Sequence, residues 1–190
     1  EAIKCLAQIV EQEQNILIIG TTGSGKTSCL NACLNLVGSD QRVIIVEDTD
    51  ELTVPNHLSL KLLTRQDINK HLKDFNQCDL IVQSLRMRPQ RLIVGEVRGG
   101  EAKDLLLALS TGHRGSLCSL HASHPHQALW RLEMLVQMGA PQWTLQTIRN
   151  LIGFSLDYIV TLKNSSEGRK LQAIHKIGSV ETSGFTLEII

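Results

Sequence analysis

The sequence predicts an α/β domain with a mostly parallel central sheet, because short apolar runs alternate along the chain with helix-length segments. Four runs are apolar at nearly every position, as is typical of central strands covered by helices on both faces: 15–19, 42–46, 91–94 and 116–120. Glycine or polar residues stand where these runs end: Gly20, Glu47, Glu96 and His121. Since ligands of open parallel sheets bind beyond the carboxyl ends of the strands, we expect a site at this edge.

Helices are predicted between the strands by apolar residues at helical spacing, at 1–13, 26–37, 67–85, 101–110, 125–138 and 141–152. A more exposed strand is predicted at 57–64. A small C-terminal β extension is predicted from strands at 156–163, 170–178 and 185–190, with a Ser-Ser-Glu-Gly turn between the first two. Because no repeat or clear linker is found, residues 1–190 are predicted to form one domain.

The composition is that of an ordinary globular protein. Nineteen basic residues balance nineteen acidic ones, which argues against a protein whose main function is to bind nucleic acid. The five cysteines form no CxxC pair, which fits reduced thiols better than a disulfide framework. No run of 18 apolar residues is present, so no membrane span is predicted.

A glycine-rich loop follows the first predicted strand and precedes a predicted helix. Its sequence, Gly20-Thr21-Thr22-Gly23-Ser24-Gly25-Lys26-Thr27, matches the P-loop pattern G-x-x-x-x-G-K-[ST], and Ser28 continues it into the helix. In such a loop the backbone N–H groups and the helix N-terminus bind phosphate. Lys26 is expected to reach the β- and γ-phosphates, and the Thr27 hydroxyl to hold Mg²⁺. We therefore expect residues 20–28 to bind ATP with Mg²⁺.

Carboxylates follow the second and third apolar runs. An acidic cluster at 47–51 follows one, and Glu96 follows the other. Phosphoryl transfer to water needs a carboxylate that orients the attacking water, for which Glu51 is the first candidate and Glu47 the second. Gly95 stands where many P-loop enzymes carry Asp, so Glu96 is expected to supply the carboxylate of the metal shell, in part through water.

The remaining candidates are one histidine and two arginines. His121 ends the fourth apolar run, where an imidazole N–H can hydrogen-bond to the γ-phosphate and report its presence. A P-loop enzyme also needs a cation to neutralise charge on the γ-phosphate, and Arg86 and Arg98 flank the third run. Most arginines serve charge balance and solubility, so both a role in the site and a purely surface role stay open for Arg86 and Arg98.

Taken together, these segments resemble the type II/type IV secretion ATPase family. The family pattern has a Walker A loop, an Asp box, a Walker B strand ending in Gly-Glu and a His box. The corresponding segments are GTTGSGKTS at 20–28, VEDTDEL at 46–52, LRMRPQRLIVGEVRGGEA at 85–102 and TGHRGSLCSLHAS at 111–123. The third segment looks closest to the Tad/Flp-pilus (CpaF-like) branch and its conjugation-type relatives.

The resemblance implies a RecA-like ATPase motor domain. It implies that Glu51 is the water-activating glutamate, that Glu96 belongs to the Walker B strand and that His121 is the His-box histidine. It also implies a cytoplasmic homo-hexamer, peripheral to the inner membrane and docked on an inner-membrane platform protein. Direct nucleic-acid contact is not expected, because the net charge is neutral. The family's N-terminal domain, which contributes arginines to the site, is expected to be absent from this chain. Gln90 and Ser119 depart from the family pattern, which commonly has Asp and Thr there.

Two other functions are compatible with the same fold. A DNA translocase or recombinase would show ATPase activity stimulated by DNA, against which the neutral net charge and the 3% content of aromatic residues argue. A non-hydrolysing module in which nucleotide only sets the shape of an oligomer would not need Glu51 and Glu96.

Overall fold

A computed structural model describes residues 1–69, 71–166, 168–181 and 184–190. The strands are β1 (Ile16–Gly20), β2 (Val43–Glu47), β3 (Leu60–Leu63), β4 (Arg91–Val94), β5 (Leu117–His121), β6 (Tyr158–Ser165), β7 (Gly168–Glu181) and β8 (Gly184–Ile189). The helices are α1 (Ala2–Glu11), α2 (Lys26–Leu34), α3 (Gln77–Ser84), α4 (Glu101–Ser110), α5 (Pro125–Gly139) and α6 (Leu145–Ser155). A short 3-10 helix, Leu85–Met87, extends α3.

The eight strands form one sheet in the order β3-β2-β4-β5-β1-β6-β7-β8. Pairing is parallel from β3 to β6 and antiparallel from β6 to β8, which confirms the predicted α/β fold with a mostly parallel sheet and a C-terminal β extension. The extension continues the same sheet. The expected Ser-Ser-Glu-Gly turn includes Glu167, which lies outside the described residues.

Helices cover both faces of the sheet, and the central strands divide their side chains between the two layers. In β1, Leu17 and Ile19 pack in the cluster formed with α3, α4, α5 and α6. Their neighbours Ile16 and Ile18 pack in the cluster formed with α1 and α2. Because successive side chains of a strand point to opposite faces, a strand buried on both sides needs a continuous apolar run, as the sequence has. No helix in the described part of the chain has the length and apolar character needed to cross a bilayer.

The predicted helix at 67–85 is wrong over its first half, because α3 begins only at Gln77. The Asp67 carboxylate accepts hydrogen bonds from the N–H groups of Asn69 and Leu72, at 3.0 and 2.7 Å. Such side-chain bonds compete with the backbone bonds of a helix. A capping box between Asn76 and Asp79 then starts α3, with both side chains accepting from each other's backbone N–H groups.

The ends of other helices and strands differ from the predicted ones by a few residues. The predicted helix at 26–37 ends at Leu34, and the strand at 57–64 is restricted to Leu60–Leu63, with Leu60 and Leu63 exposed as predicted. The helix predicted at 141–152 begins at Leu145, because the Thr144 hydroxyl accepts a hydrogen bond from the Thr147 N–H at 3.2 Å.

A buried polar side chain holds the amino ends of three central strands together. Asn15 is fully buried just before β1. Its side chain donates to the Ser155 carbonyl at 2.8 Å and accepts from the Ser116 N–H at 3.0 Å. Its carbonyl accepts from Asp157 and Tyr158 at the start of β6. The residue therefore ties β1 to the segments that lead into β5 and β6.

Replacing Asn15 by Ala should lower the free energy of unfolding by about 2–4 kcal/mol, because it leaves a buried carbonyl and a buried N–H without partners. Asn150→Ala is the matched control, since Asn150 is exposed and its side chain accepts from Gln146 one turn earlier, and it should change stability by less than about 0.5 kcal/mol. Urea denaturation measures both. Equal effects of the two substitutions would contradict the role given to Asn15.

Candidate nucleotide-binding site

A cavity of about 680 Å³ opens at the carboxyl edge of the parallel strands. Its lining comes from the P-loop, from the segments after β2 and β4, and from the end of β5. The lining residues are Thr22, Gly23, Ser24, Gly25, Lys26, Thr27, Ser28, Leu30, Glu47, Asp48, Thr49, Glu51, Leu52, Gln77, Gly95, Glu96, Val97, Arg98, Ser119, His121, Arg131 and Arg169. The size is that of a small-molecule pocket, and the sheet edge is the one predicted.

The P-loop has the backbone geometry of an anion-binding loop. Gly23 and Gly25 have positive φ angles of 74° and 94°, which glycine adopts without strain. Gly25 is also the N-cap of α2, and no side chain among the described residues caps that helix. The first N–H groups of α2 therefore remain available to a phosphate, next to the positive end of the helix dipole.

Lys26 and Ser24 are held inside the loop. The Lys26 ammonium donates to the carbonyls of Gly20 and Thr21, at 3.0 and 3.4 Å, and lies 3.8 Å from a Glu96 oxygen. Burial lowers the pKa of Lys26, and the Glu96 carboxylate opposes that shift. The buried Ser24 hydroxyl has no hydrogen-bond partner among the described residues. These groups suit the phosphates of a nucleotide.

Thr27 and Glu51, predicted separately for the metal and for the base, are in direct contact. The Thr27 hydroxyl donates to Glu51 Oε2 at 2.8 Å. Asn31, one turn further along α2, fixes the Glu51 segment by donating to the Glu51 carbonyl at 3.3 Å and accepting from the Thr53 N–H at 2.8 Å. The Glu51 carboxylate itself is exposed to the cavity.

Glu47, the second candidate for the base, has a different environment. It is buried, and both of its oxygens accept from the Leu52 N–H, at 3.1 and 3.2 Å. Burial raises the pKa of Glu47, which the Leu52 hydrogen bond and the nearby Lys61 partly offset. These contacts fold the 47–52 segment back on β2 and so present Glu51 to the cavity. They favour Glu51 over Glu47 as the water-orienting group.

The same side chain explains why Gly95 stands where many P-loop enzymes have Asp. A Cβ atom on residue 95 would lie 3.0 Å from Cγ and 3.3 Å from Oε1 of Glu47. Any larger residue at position 95 would therefore crowd the Glu47 side chain, which favours glycine there. The next residue, Glu96, carries a carboxylate that lines the cavity.

Glu96 lies between two cations. Its Oε1 is 3.8 Å from the Lys26 ammonium, and its Oε2 accepts from Arg98 Nε at 2.5 Å. Arg98 also approaches an Asp48 oxygen at 3.5 Å. Arg98 therefore lines the cavity as predicted, but two carboxylates already share its charge.

His121 and the first P-loop residue are neighbours because β5 and β1 pair in parallel, with Gly20 opposite His121. His121 is exposed and lines the cavity. Ser119, two residues earlier, donates to the Gly95 carbonyl at 2.6 Å. This bond links β5 to the end of β4.

Of the two arginines that the sequence suggested, Arg98 lines the cavity and Arg86 does not. Arg86 is exposed in the 3-10 helix after α3, outside the lining of the cavity. Instead, Arg131 from α5 and Arg169 from β7 line it. Sequence reasoning missed both, because neither follows an apolar strand or stands in a motif. Only the placement of α5 and of the β6–β7 hairpin beside the P-loop reveals them.

Comparison with known proteins identifies the family. A family model described as "Type II/IV secretion system protein" matches residues 1–167. The chain belongs to this family. Conjugal transfer protein TrbB of Rhizobium radiobacter is 32% identical over 182 residues, which cover 94% of this chain and 53% of TrbB. Type IV secretion system protein VirB11 of Bartonella henselae is 33% identical over 172 residues, covering 90% of this chain and 48% of VirB11.

A solved structure confirms the fold. The VirB11 ATPase from the Brucella suis type IV secretion system, in complex with sulphate, superposes with a TM-score of 0.83 at 30% identity, covering 92% of this chain and 52% of that chain. The secretion-ATPase family and its RecA-like motor fold are therefore confirmed, whereas the Tad-like branch stays a prediction. The chain spans about half the length of these relatives.

Replacing Gly95 by Ala should lower the free energy of unfolding by about 1–3 kcal/mol, because the added methyl group collides with the Glu47 side chain. The control is the same substitution in a Glu47→Ala background, where the obstacle is gone and the additional loss should nearly vanish. Chemical denaturation of the four proteins of this double-mutant cycle measures the coupling. An equal cost of Gly95→Ala in both backgrounds would show that Glu47 is not the reason for the glycine.

Proposed function

We propose that this chain is an ATP-binding and ATP-hydrolysing motor domain of a bacterial secretion or pilus-assembly machine. The observation that carries the proposal is the convergence of four separate segments on one cavity. Lys26 and Thr27 of the P-loop, Glu51 after β2, Glu96 after β4 and His121 at the end of β5 all line it. Family membership and the VirB11 ATPase structure support the same activity.

ATP and Mg²⁺ suit the groups that line the cavity. The uncapped N-terminus of α2, Lys26 and the unpartnered Ser24 hydroxyl would bind the phosphates. Among the described residues, no three His, Cys, Asp or Glu side chains are grouped to hold a metal ion by themselves. Mg²⁺ is usually held by one or two protein oxygens together with substrate phosphates, and Thr27 with Glu96 would provide such oxygens. The bound metal would neutralise charge on the phosphates and orient them.

We propose a separate role for each of these side chains. Glu51 would orient the attacking water and accept its proton, because its carboxylate faces the cavity while the buried Glu47 fixes the segment that carries it. Lys26 would move from the loop carbonyls to the β- and γ-phosphates and, with an arginine, neutralise charge that develops during transfer. His121 would donate to the γ-phosphate from the end of β5. Arg98 and Arg86 remain candidates for the arginine, the latter only if it reaches the site of a neighbouring subunit.

The role of the whole protein is a wider proposal, since the chain spans about half the length of its relatives. We propose a homo-hexamer in the cytoplasm, peripheral to the inner membrane, that acts on an inner-membrane platform protein. The relatives' names, conjugal transfer protein TrbB and type IV secretion system protein VirB11, support a secretion machine. The balance of 19 basic and 19 acidic residues supports a role without direct nucleic-acid contact.

Replacing Glu51 by Gln should leave ATP binding within about threefold and reduce steady-state phosphate release by at least about 100-fold, because the amide cannot accept the proton of the attacking water. Lys26→Ala is the contrasting variant, which should lose ATP binding because it removes the cation that reaches the phosphates. Equilibrium binding of a fluorescent ATP analogue and phosphate release, each relative to the parent protein, measure the two effects. Normal turnover by the Glu51→Gln protein would remove Glu51 from the mechanism.

A further inference from the structure

The β6–β7 hairpin lies against the P-loop. A Cβ atom on Gly20 would lie 2.9 Å from the Leu162 carbonyl oxygen, and one on Gly23 would lie 3.9 Å from Asn164 Nδ2. A Cβ atom on Gly25 would lie 3.1 Å from Cδ of Arg169. Asn164 and Arg169 are opposite each other in the register of the hairpin. The hairpin therefore follows the loop along its length, and the Arg169 side chain passes directly over Gly25.

Arg169 differs from Lys26 and Arg98 in its partners. Lys26 bonds to the loop carbonyls and approaches Glu96, and Arg98 pairs with Glu96 and Asp48. Arg169 lines the same cavity, yet within the described part of the chain it has no ion pair or side-chain hydrogen bond. Among the described residues, no carboxylate shares the charge of the Arg169 guanidinium, and the Arg169 side chain packs against Gly25 of the phosphate-binding loop through its aliphatic carbons. Its planar set of N–H donors matches two oxygens of one phosphate group.

We propose that Arg169 is a nucleotide-binding residue whose guanidinium binds the α- or β-phosphate in the P-loop. This inference rests on the proposed function of the cavity. The backbone of a P-loop surrounds the α- and β-phosphates, and its lysine reaches on to the γ-phosphate. Arg169 lies over Gly25, in the loop backbone. Glu51, proposed to orient the water that attacks the γ-phosphate, bonds instead to Thr27 in the first turn of α2. Arg169 should therefore contribute equally to binding of ADP and ATP.

The test is equilibrium binding of ADP and of ATP, each with Mg²⁺, to the parent chain and to three variants. Arg169→Ala should weaken both nucleotides by about tenfold or more and by the same factor, because one charge-assisted contact is lost in each complex. Arg169→Lys should recover part of that loss, since it keeps the charge without the planar donors. Lys163→Ala is the matched control: it removes one exposed positive charge from the same hairpin, outside the lining of the cavity, and should change neither affinity.

The melting temperature without nucleotide should be the same for the parent chain and for Arg169→Ala, because Arg169 is exposed. Unchanged nucleotide affinities in Arg169→Ala would overturn the inference. An equal loss of affinity in Lys163→Ala would also overturn it, because it would indicate a general effect of positive charge on the hairpin. A loss of affinity for ATP but not for ADP would also overturn the inference, because it would place Arg169 at the γ-phosphate. If the parent chain bound neither nucleotide, the proposed function itself would fail. If the parent chain bound both nucleotides and Arg169→Ala bound them equally well, only the role of Arg169 would fail.

Discussion

The register of the parallel strands determines where every proposed functional group lies. β1 and β5 pair so that Gly20 is opposite His121, and β2 and β4 pair so that Val46 is opposite Val94. The residues that follow each strand therefore emerge at one edge of the sheet. A shift of one residue in any of these pairings would also move that strand's buried side chains from one helix layer to the other and disturb the packing of both. Burial of the strands on both faces thus fixes the site together with the core.

Charge pairing inside the cavity is the second constraint. Among the residues that the structure describes, four carboxylates and four cations line it: Glu47, Asp48, Glu51 and Glu96, with Lys26, Arg98, Arg131 and Arg169. Lys26 and Arg98 interact with Glu96, and the Glu51 carboxylate accepts from Thr27. A phosphate placed in the P-loop would compete for Lys26 and Thr27, and would thereby release Glu96 and Glu51 from these contacts. Nucleotide binding would in this way be linked to the arrangement of the acidic groups.

Much of this arrangement could be predicted from the sequence, because the strongest signals are local. The apolar runs gave the central strands to within a residue or two, and the P-loop pattern together with the residue after each strand gave most of the cavity. The helix predicted at 67–85 failed because Asp67 and Asn76 form their own local hydrogen bonds, which an apolar periodicity does not register. Asn15 was taken as part of an apolar strand, although it is a buried polar link between segments more than 100 residues apart.

The arginines show most clearly what could not be predicted from the sequence alone. Arg98 could be found from its position beside Glu96, whereas Arg169 approaches Gly25 only because β6 joins the sheet beside β1 and β7 returns antiparallel to it. Such a contact depends on strand order, which a single sequence does not contain. Likewise, the crowding that favours glycine at position 95 could be found only from the position of the Glu47 side chain.

The most direct test of the central claim is equilibrium binding of ATP to this chain, with and without Mg²⁺ and with and without single- or double-stranded DNA. A motor domain of a secretion ATPase should bind ATP in a manner that depends on Mg²⁺ and is unchanged by DNA. Absence of ATP binding would contradict the assignment of the cavity, and strong enhancement of ATP binding by DNA would instead indicate a nucleic-acid translocase on the same fold.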